Sequence, residues 1–357
     1  MTVMKKTLVA LAVAAMAATS ANAATVYEQD GTKVELSGSL RLVLGKFSKD
    51  NRGDLINDGT RAWIKASQDL GNGFSGLGGF ELRFDNIDNY DSMTAAEQRA
   101  AKAENTFRNP RARQVFGGFA HTDVGTLTFG RQETTLDAVQ LSDFVYTNGG
   151  NNNLTDYADK SIKFRSAEWA GFSFGADYLF GTANKSQKDT YKYGYGVSAF
   201  YSQELVKDLG LNLAAGYGEN KYDDNDTVTS KTGKNDKSWR TSAQLVFGPA
   251  SLGVEFGRTD IKENKRTTER ERSFLVGAKY QVIDPTAVYL QYQNNQSKTV
   301  ATGYKETENR YIVGADYKFH KNVVTYVEFA RSVTKDNAAP VVKGNDTAYG
   351  VGLRVYF

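Results

Sequence analysis

Charged side chains that could act together on a solute are concentrated in two parts of this chain. The longest connection between its predicted strands, residues 133–160, contains acids but no Lys or Arg before Lys160. The acids are Glu133, Asp137, Asp143, Asp156 and Asp159. Bases occur in earlier predicted strands, at the alternate positions that hold polar residues and that are here called the polar parity. They are Arg41, Arg61, Lys65, Arg83 and Arg113. Acids facing a row of cations across a narrow pore would set a transverse field, which orients dipolar solutes and disfavours apolar ones.

The acidic connection must be positioned by the elements around it. A loop of this length inside a domain is usually functional or disordered. Apolar residues lie between its acids, including Leu136, Val139, Leu141, Phe144, Val145, Tyr146 and Leu154. This composition predicts a loop that packs against protein and folds into a lumen. The alternative is an external, solvated loop.

The surrounding sequence is typical of strands and tight turns. It holds 34 Gly, 20 Tyr and 20 Phe but only 4 Pro, which favours β structure. Apolar residues alternate with polar ones from Val34 to Phe357, and period two indicates strands with one apolar face. The predicted strands are sixteen: 34–47, 61–69, 74–85, 111–121, 126–132, 161–167, 172–180, 192–204, 211–220, 238–247, 251–259, 272–282, 287–293, 309–319, 323–333 and 347–357.

Every second connection is short, which predicts an up-and-down meander with its tight turns at one end. Sixteen strands enclose a lumen too wide for side chains to fill, so the polar parity must face water and the apolar parity lipid. Aromatic residues near strand ends, such as Tyr178, Phe180 and Tyr317, fit membrane-interface girdles. The predicted fold is an all-β, 16-stranded antiparallel transmembrane β-barrel with an inward-folded constriction loop. A large soluble β protein is the alternative.

Residues 1–23 predict a signal peptide. Lys5 and Lys6 precede an apolar run that is too short to span a membrane, and Ala21-Asn22-Ala23 forms a cleavage pattern. The barrel domain would then be residues 24–357. An exported chain without cysteine suits a bacterial envelope.

The composition and motifs argue against several functions. Formal charge is +3, from 44 bases and 41 acids, which is too balanced for a nucleic-acid partner. With no Cys and two His, we predict no metal site and no cofactor. The G-x-G-x-x-G pattern at 71–76 joins two strands, so it predicts no dinucleotide site. No G-x-S-x-G or H-E-x-x-H pattern occurs, so the chain is predicted not to be an enzyme.

Two external connections carry weaker patterns. Thr94 and Glu97 form a capping box before an Ala-rich stretch, which predicts a short helix that either contacts a neighbouring subunit or lies on the surface. Bases and acids alternate over 266–272, which we interpret as a solvated loop.

The chain resembles the Gram-negative general diffusion porins, in particular the outer membrane protein H type of the Pasteurellaceae. The resemblance runs from Ala24 to Phe357. It is strongest over residues 25–36, 113–131 and 352–357.

This resemblance implies sixteen strands, a homotrimer and a third loop that folds into the channel as a constriction. It places Arg61 and Arg113 in a basic wall, Glu133, Asp137 and Asp143 in the constriction loop, and Arg131 at a subunit contact. The C-terminal pattern ending in Phe357 is similar to the signal that the barrel-assembly machinery reads. Departures occur at Ser39, where related porins often have Lys, and at 144–150, which replaces a compact loop tip.

The predicted function is passive passage of small hydrophilic solutes and ions across the outer membrane of a Gram-negative bacterium. Outer-membrane lipid and lipopolysaccharide are the expected surroundings. Three alternatives stay open: a solute-specific channel, a surface adhesin and an outer-membrane hydrolase. Trp63 is the clearest large aromatic residue on the lumen parity, and alone it makes no aromatic track for a specific solute.

Overall fold

The computed structural model describes residues 23–84, 110–183, 191–222, 234–338 and 343–357. The predicted signal peptide, apart from Ala23, and the predicted helix after Thr94 lie outside the described residues. The strands are β1 Ala24–Gln29, β2 Thr32–Lys46, β3 Asp54–Asn57, β4 Thr60–Gly71, β5 Phe74–Phe84, β6 Arg111–His121, β7 Gly125–Glu133, β8 Tyr157–Ser166, β9 Phe172–Phe180, β10 Tyr191–Val206, β11 Leu209–Tyr222, β12 Lys234–Phe247, β13 Ala250–Glu263, β14 Arg266–Ile283, β15 Thr286–Thr299, β16 Lys305–His320, β17 Val323–Asp336 and β18 Lys343–Tyr356.

These segments fill sixteen positions of one closed antiparallel barrel, which confirms the predicted fold. β3 and β4 follow one another along the same edge of β2. On the other edge, β18 pairs from Tyr349 to Tyr356 and β1 continues beyond it. The Phe357 carbonyl accepts the Gly38 N–H at 2.7 Å, so the C-terminus closes the barrel beside the start of β1. Closure pairs the last long strand with the first one, as in barrels that remove their sheet edges.

The two faces of the barrel have opposite polarity, as the alternation predicts. Outward apolar residues are exposed, for example Leu44, Val254 and Phe319. Inward polar residues are buried, for example Glu81, Arg240 and Gln293. An apolar outer surface with a polar interior is the arrangement of a barrel in lipid. No helix among the described residues is long and apolar enough to cross a membrane.

Two predicted loops are strand instead. β13 and β14 run on to a two-residue turn at Asn264 and Lys265, so the interpretation of residues 266–272 as a loop is wrong. β15 and β16 likewise extend to Thr299 and Lys305, into the predicted loop 294–308. Alternating bases and acids have the same period as a strand, and beyond the membrane both faces of a strand can be polar.

Candidate functional site: a charged constriction

Residues 134–156, which join β7 to β8, lie inside the barrel and are here called the lumen loop. Its first part is fixed to β9, where the Thr135 N–H donates to Asp177 at 3.0 Å and the Thr135 hydroxyl also donates. Leu136, Val139 and Leu154 then pack with Ala214 of β11 as a buried cluster. The apolar residues between the acids therefore pack against the barrel wall, as the sequence predicted.

Inward glycines on the wall make room for this packing. A Cβ at Gly216 of β11 would lie 2.9 Å from Leu154 and 2.9 Å from Val139. A Cβ at Gly253 of β13 would overlap the Ser142 side chain. At each glycine the added carbon would lie closer to the loop than a normal van der Waals contact. Larger residues at these two positions would therefore push the loop toward the pore axis.

A buried ion pair fixes the middle of the lumen loop. The Arg240 Nε of β12 lies 2.9 Å from the Glu255 carboxylate of β13, and both side chains are fully buried. Arg240 also donates to the Asn151 carbonyl at 3.0 Å and to its side-chain oxygen at 2.9 Å. Glu255 accepts the Ser142 N–H. Buried charges are tolerated when they are paired and hydrogen-bonded, and breaking such a pair is costly. This ion pair therefore holds residues 142 and 151 of the loop in place.

A second set of charges fixes the loop tip. Glu328 of β17 accepts the backbone N–H groups of Tyr146, Thr147 and Asn148, the last two at 3.1 Å. Arg310 of β16 donates to the Asn148 carbonyl at 3.0 Å.

Aromatic stacking adds to this anchor. The Tyr146 ring stacks on Tyr326 with centroids 4.3 Å apart. The lumen loop thus follows the inner faces of β9 to β18.

The basic side chains lie on the remaining wall, β2 to β8. The register aligns Ser39 with Arg61 and Arg61 with Arg83 across β2, β4 and β5. Arg41 lies opposite Arg354 of β18. The open part of the lumen therefore has the lumen loop on one side and cations on the other.

Carboxylates within the basic wall were missed by the sequence analysis. Glu81 is fully buried between Arg83 at 3.1 Å and Arg61 at 3.6 Å, and Gln114 donates to it at 3.1 Å. The sequence does contain a signal for this contact, because Glu81 lies two residues before Arg83 in one strand and therefore on the same face. Glu81 neutralises part of the wall and fixes the two guanidinium groups.

Arg354 was also missed, because its neighbours become apparent only when the barrel closes. It pairs with Asp58 at 3.1 Å and donates to the Tyr146 carbonyl at 2.6 Å. Arg354 therefore connects the loop tip to the end of the basic row.

The two remaining predicted bases are covered by aromatic rings. Arg113 is buried, with its guanidinium carbon 3.6 Å from the centroid of the Tyr157 ring. The Lys65 ammonium lies 5.1 Å from the Trp63 ring. Arg165 of β8 likewise lies 3.5 Å from the Phe200 ring. Cation–π contacts of this kind position the charge without neutralising it.

The predicted acids separate into different environments. Glu133 is the last residue of β7, and Asp137 starts a single 3-10 turn with its side chain exposed to the lumen. Asp137 interacts electrostatically with Arg113 of β6 and Lys163 of β8. The pKa of Asp137 lies above its usual range. The main cause is the loss of solvation inside the barrel, and the second is the negative charge of the neighbouring carboxylates Glu133 and Asp156.

Asp143 and Asp159 have other surroundings. Asp143 accepts the Gly150 N–H at 2.8 Å and the Gln291 amide at 2.9 Å, so it braces the loop against β15. Asp159 lies in β8, and the prediction that it belongs to the loop is wrong. Its exposed carboxylate pairs with Arg131 of β7 at 3.4 Å, beside a register irregularity between the two strands.

The comparison with protein families decides the identity of the barrel. Residues 10–337 match the model of the Gram-negative porin family. The chain belongs to this family. A major outer membrane protein of Pasteurella multocida is 40% identical over 357 residues, which cover 99% of this chain and all of the relative.

Solved porins share the fold at lower identity. The trimer form of OmpT, an outer membrane protein of Vibrio cholerae, has a TM-score of 0.68 and 19% identity over 92% of this chain and 100% of that one. The anion-selective porin of Comamonas acidovorans has a TM-score of 0.69 and 18% identity over 91% and 100%. This chain is thus a porin of the Gram-negative outer membrane, and its lumen is a diffusion channel for small hydrophilic solutes and ions.

Proposed function

We propose that this porin filters solutes in a transverse field between the lumen loop and the basic wall. Asp137 and Asp156 of the loop supply the negative side, together with Glu133 at the end of β7, where the loop begins. Arg41, Arg61, Lys65, Arg83 and Arg113 supply the positive side, together with Arg354. The observation that carries the proposal is the fixation of the loop along β9 to β18, which leaves the cations of β2 to β8 facing the open lumen.

Asp143 has a bracing role in this proposal, and Asp159 has none in the filter. Asp143 uses both carboxylate oxygens on Gly150 and Gln291, so it sets the shape of the loop. A polar solute would align its dipole between the two charged sides, whereas an apolar solute would have to displace field-ordered water. The chain performs no catalysis in this proposal, and passage follows the concentration gradient.

We further propose a homotrimer in the outer membrane. The trimer form of the similar Vibrio cholerae protein supports this assembly. Arg131 contacts the neighbouring subunit from the outer face of β7, Phe357 is part of the signal for the barrel-assembly machinery, and lipopolysaccharide surrounds the trimer.

Single-channel conductance of the purified native oligomer in planar bilayers tests the channel function. We expect closely spaced steps in groups of three with little preference among small solutes. A barrel that inserts without conductance would contradict the channel. Turnover of a solute that one lumen substitution abolishes would contradict the absence of catalysis.

A further inference from the structure

The inner face of the barrel is acidic on the extracellular side of the lumen loop. Long connections mark the extracellular end of such barrels. At this end, inward positions of β14 and β16 to β18 carry carboxylates, and this group is here called the acidic mouth. Its members are Glu269, Glu271, Glu306, Glu308, Asp336 and Asp346.

The strand positions of these acids place them on the lumen side. Glu271 and Glu308 lie two residues beyond Ser273 and Arg310, whose side chains contact the lumen loop, so they share the inward face. Asp346 lies opposite Ser332, which accepts a hydrogen bond from Arg310. The acidic mouth is therefore the next layer of the lumen above the loop.

Several of these carboxylates are held by neutral groups, which leave their charge in place. The Ser297 hydroxyl donates to Glu269 at 2.6 Å, and the Lys49 N–H donates to Asp346 at 2.6 Å. Glu271 interacts electrostatically with Glu269.

One pair of mouth acids is directly opposed. Glu306 lies opposite Asp336 across β16 and β17. Like charges in this arrangement repel each other. Cations from solution relieve that repulsion, so the acidic mouth concentrates them.

Bases lie on the periplasmic side of the constriction. Lys65 of β4 is four residues nearer to a short turn than Arg61, and Lys163 and Arg165 of β8 lie beyond the end of the lumen loop, toward the next short turn. These three bases are here called the basic exit. Lys163 donates to the Glu133 carbonyl at 2.9 Å and lies 5.9 Å from the Phe116 ring. Neither neighbour neutralises the ammonium.

Acids beside the basic exit offset only part of its charge. Glu35 lies opposite Lys65 but is paired with Lys33 at 2.6 Å. Asp177 lies opposite Lys163, whereas Arg165 lies opposite Gly175. The fixed charge of the lumen therefore changes sign along the pore axis, from negative at the mouth to positive at the exit.

We propose that this axial separation of charge makes the open channel rectify. When the extracellular side is positive, cations from the acidic mouth and anions from the basic exit both move toward the constriction and accumulate there. The reverse polarity draws both away and depletes the constriction. Because current follows the number of carriers, it is larger with the extracellular side positive. This inference rests on the channel itself and not on the transverse field.

Single-channel recording of the full-length oligomer at 0.1 M salt tests the proposal. The chain has no Cys, so Ala301→Cys, in the exposed turn between β15 and β16, provides one position for biotin. Streptavidin is too large to cross the lumen, so its effect on the current identifies the extracellular compartment. Currents are read at the fully open level at equal positive and negative voltages, so that slow closure is not counted as rectification.

The mouth variant, Glu269→Gln with Glu271→Gln, removes two charges from the acidic mouth. The matched control, Glu219→Gln with Asp260→Asn, removes two acids from outward positions at the same height. Asp260 lies opposite Arg270, between the two mouth positions, and Lys237 connects it in register to Glu219. The exit variant, Lys163→Gln with Arg165→Gln, removes two charges of the opposite sign. All variants must keep the heat-modifiable folded form.

We expect the parent to carry about twice the current when the extracellular side is positive, because fields of several kT change local ion concentrations by more than this factor. The mouth and exit variants should each bring the two currents closer together, and the control should keep the parental ratio. At 1 M salt the currents should become nearly equal, because the Debye length falls to about 3 Å.

Two results would overturn the rectification and leave the channel intact. One is a conducting parent with equal currents at both polarities in 0.1 M salt, or with the larger current when the extracellular side is negative. The other is a parental ratio in the mouth and exit variants, or an equal loss in the mouth variant and its control. A parent that inserts without conductance would instead contradict the channel itself.

Discussion

Glu328→Gln should release the tip of the lumen loop. The buried carboxylate of Glu328 accepts from the Tyr146, Thr147 and Asn148 N–H groups and from the Asn148 side-chain amide at 3.1 Å. A charge-assisted hydrogen bond contributes about 1.5–3 kcal/mol, and the glutamine would keep one accepting oxygen. Loss of about two such bonds weakens docking of the tip by about 3 kcal/mol or more, which is roughly a hundredfold in the docking equilibrium.

Hydrogen exchange of the amides at 146–148 measures this docking directly. We expect exchange to accelerate by about that factor, and we expect more open-channel noise in single-channel records. Glu306→Gln is the matched control, because this glutamate lies near the extracellular end of β16 and is exposed. Parental exchange rates at 146–148 in Glu328→Gln would refute the view that this carboxylate holds the loop tip.

Three further outcomes follow from the sequence and the structure. N-terminal sequencing of the envelope protein should begin at Ala24, and a retained Lys5-Lys6 segment would contradict the signal peptide. Deletion of Phe357 should lower the yield of the heat-modifiable form, because its N–H and carbonyl close the barrel on Gly38; an unchanged yield would count against this role. As the pH falls, selectivity should shift toward anions at a higher pH than an aspartate with an ordinary pKa would cause, because the raised pKa of Asp137 makes it lose its negative charge early. The Asp137→Asn variant should lack this early shift, and an identical pH profile in parent and variant would contradict it.

Much of the barrel could be predicted because lipid imposes a simple rule on each strand. Every outward residue in the membrane must be apolar, so period two at positions such as 349, 351 and 353 identifies a strand and its faces. The rule ends where the strands leave the lipid. There the alternation of residues 266–272 was interpreted as a loop, since neither face had to be apolar.

The inward position of the lumen loop could also be predicted, because Leu136, Val139 and Leu154 needed a partner surface. The roles of its acids could not. Asp143 braces the loop through Gln291, which is distant in sequence, and only the folded register reveals this contact. The Arg354–Asp58 pair likewise depends on closure between the last strand and the first ones.

Zero-current potential across a salt gradient tests the transverse field most directly. One variant removes acids, Glu133→Gln with Asp137→Asn, and the other removes bases, Arg41→Gln with Arg61→Gln, which leaves Arg83 to neutralise Glu81. We predict a shift toward anions in the first and toward cations in the second. Both shifts should shrink between 0.1 M and 1 M salt, because the Debye length falls from about 10 Å to about 3 Å. Parental reversal potentials in both variants would contradict a filter formed by the lumen loop and the basic wall.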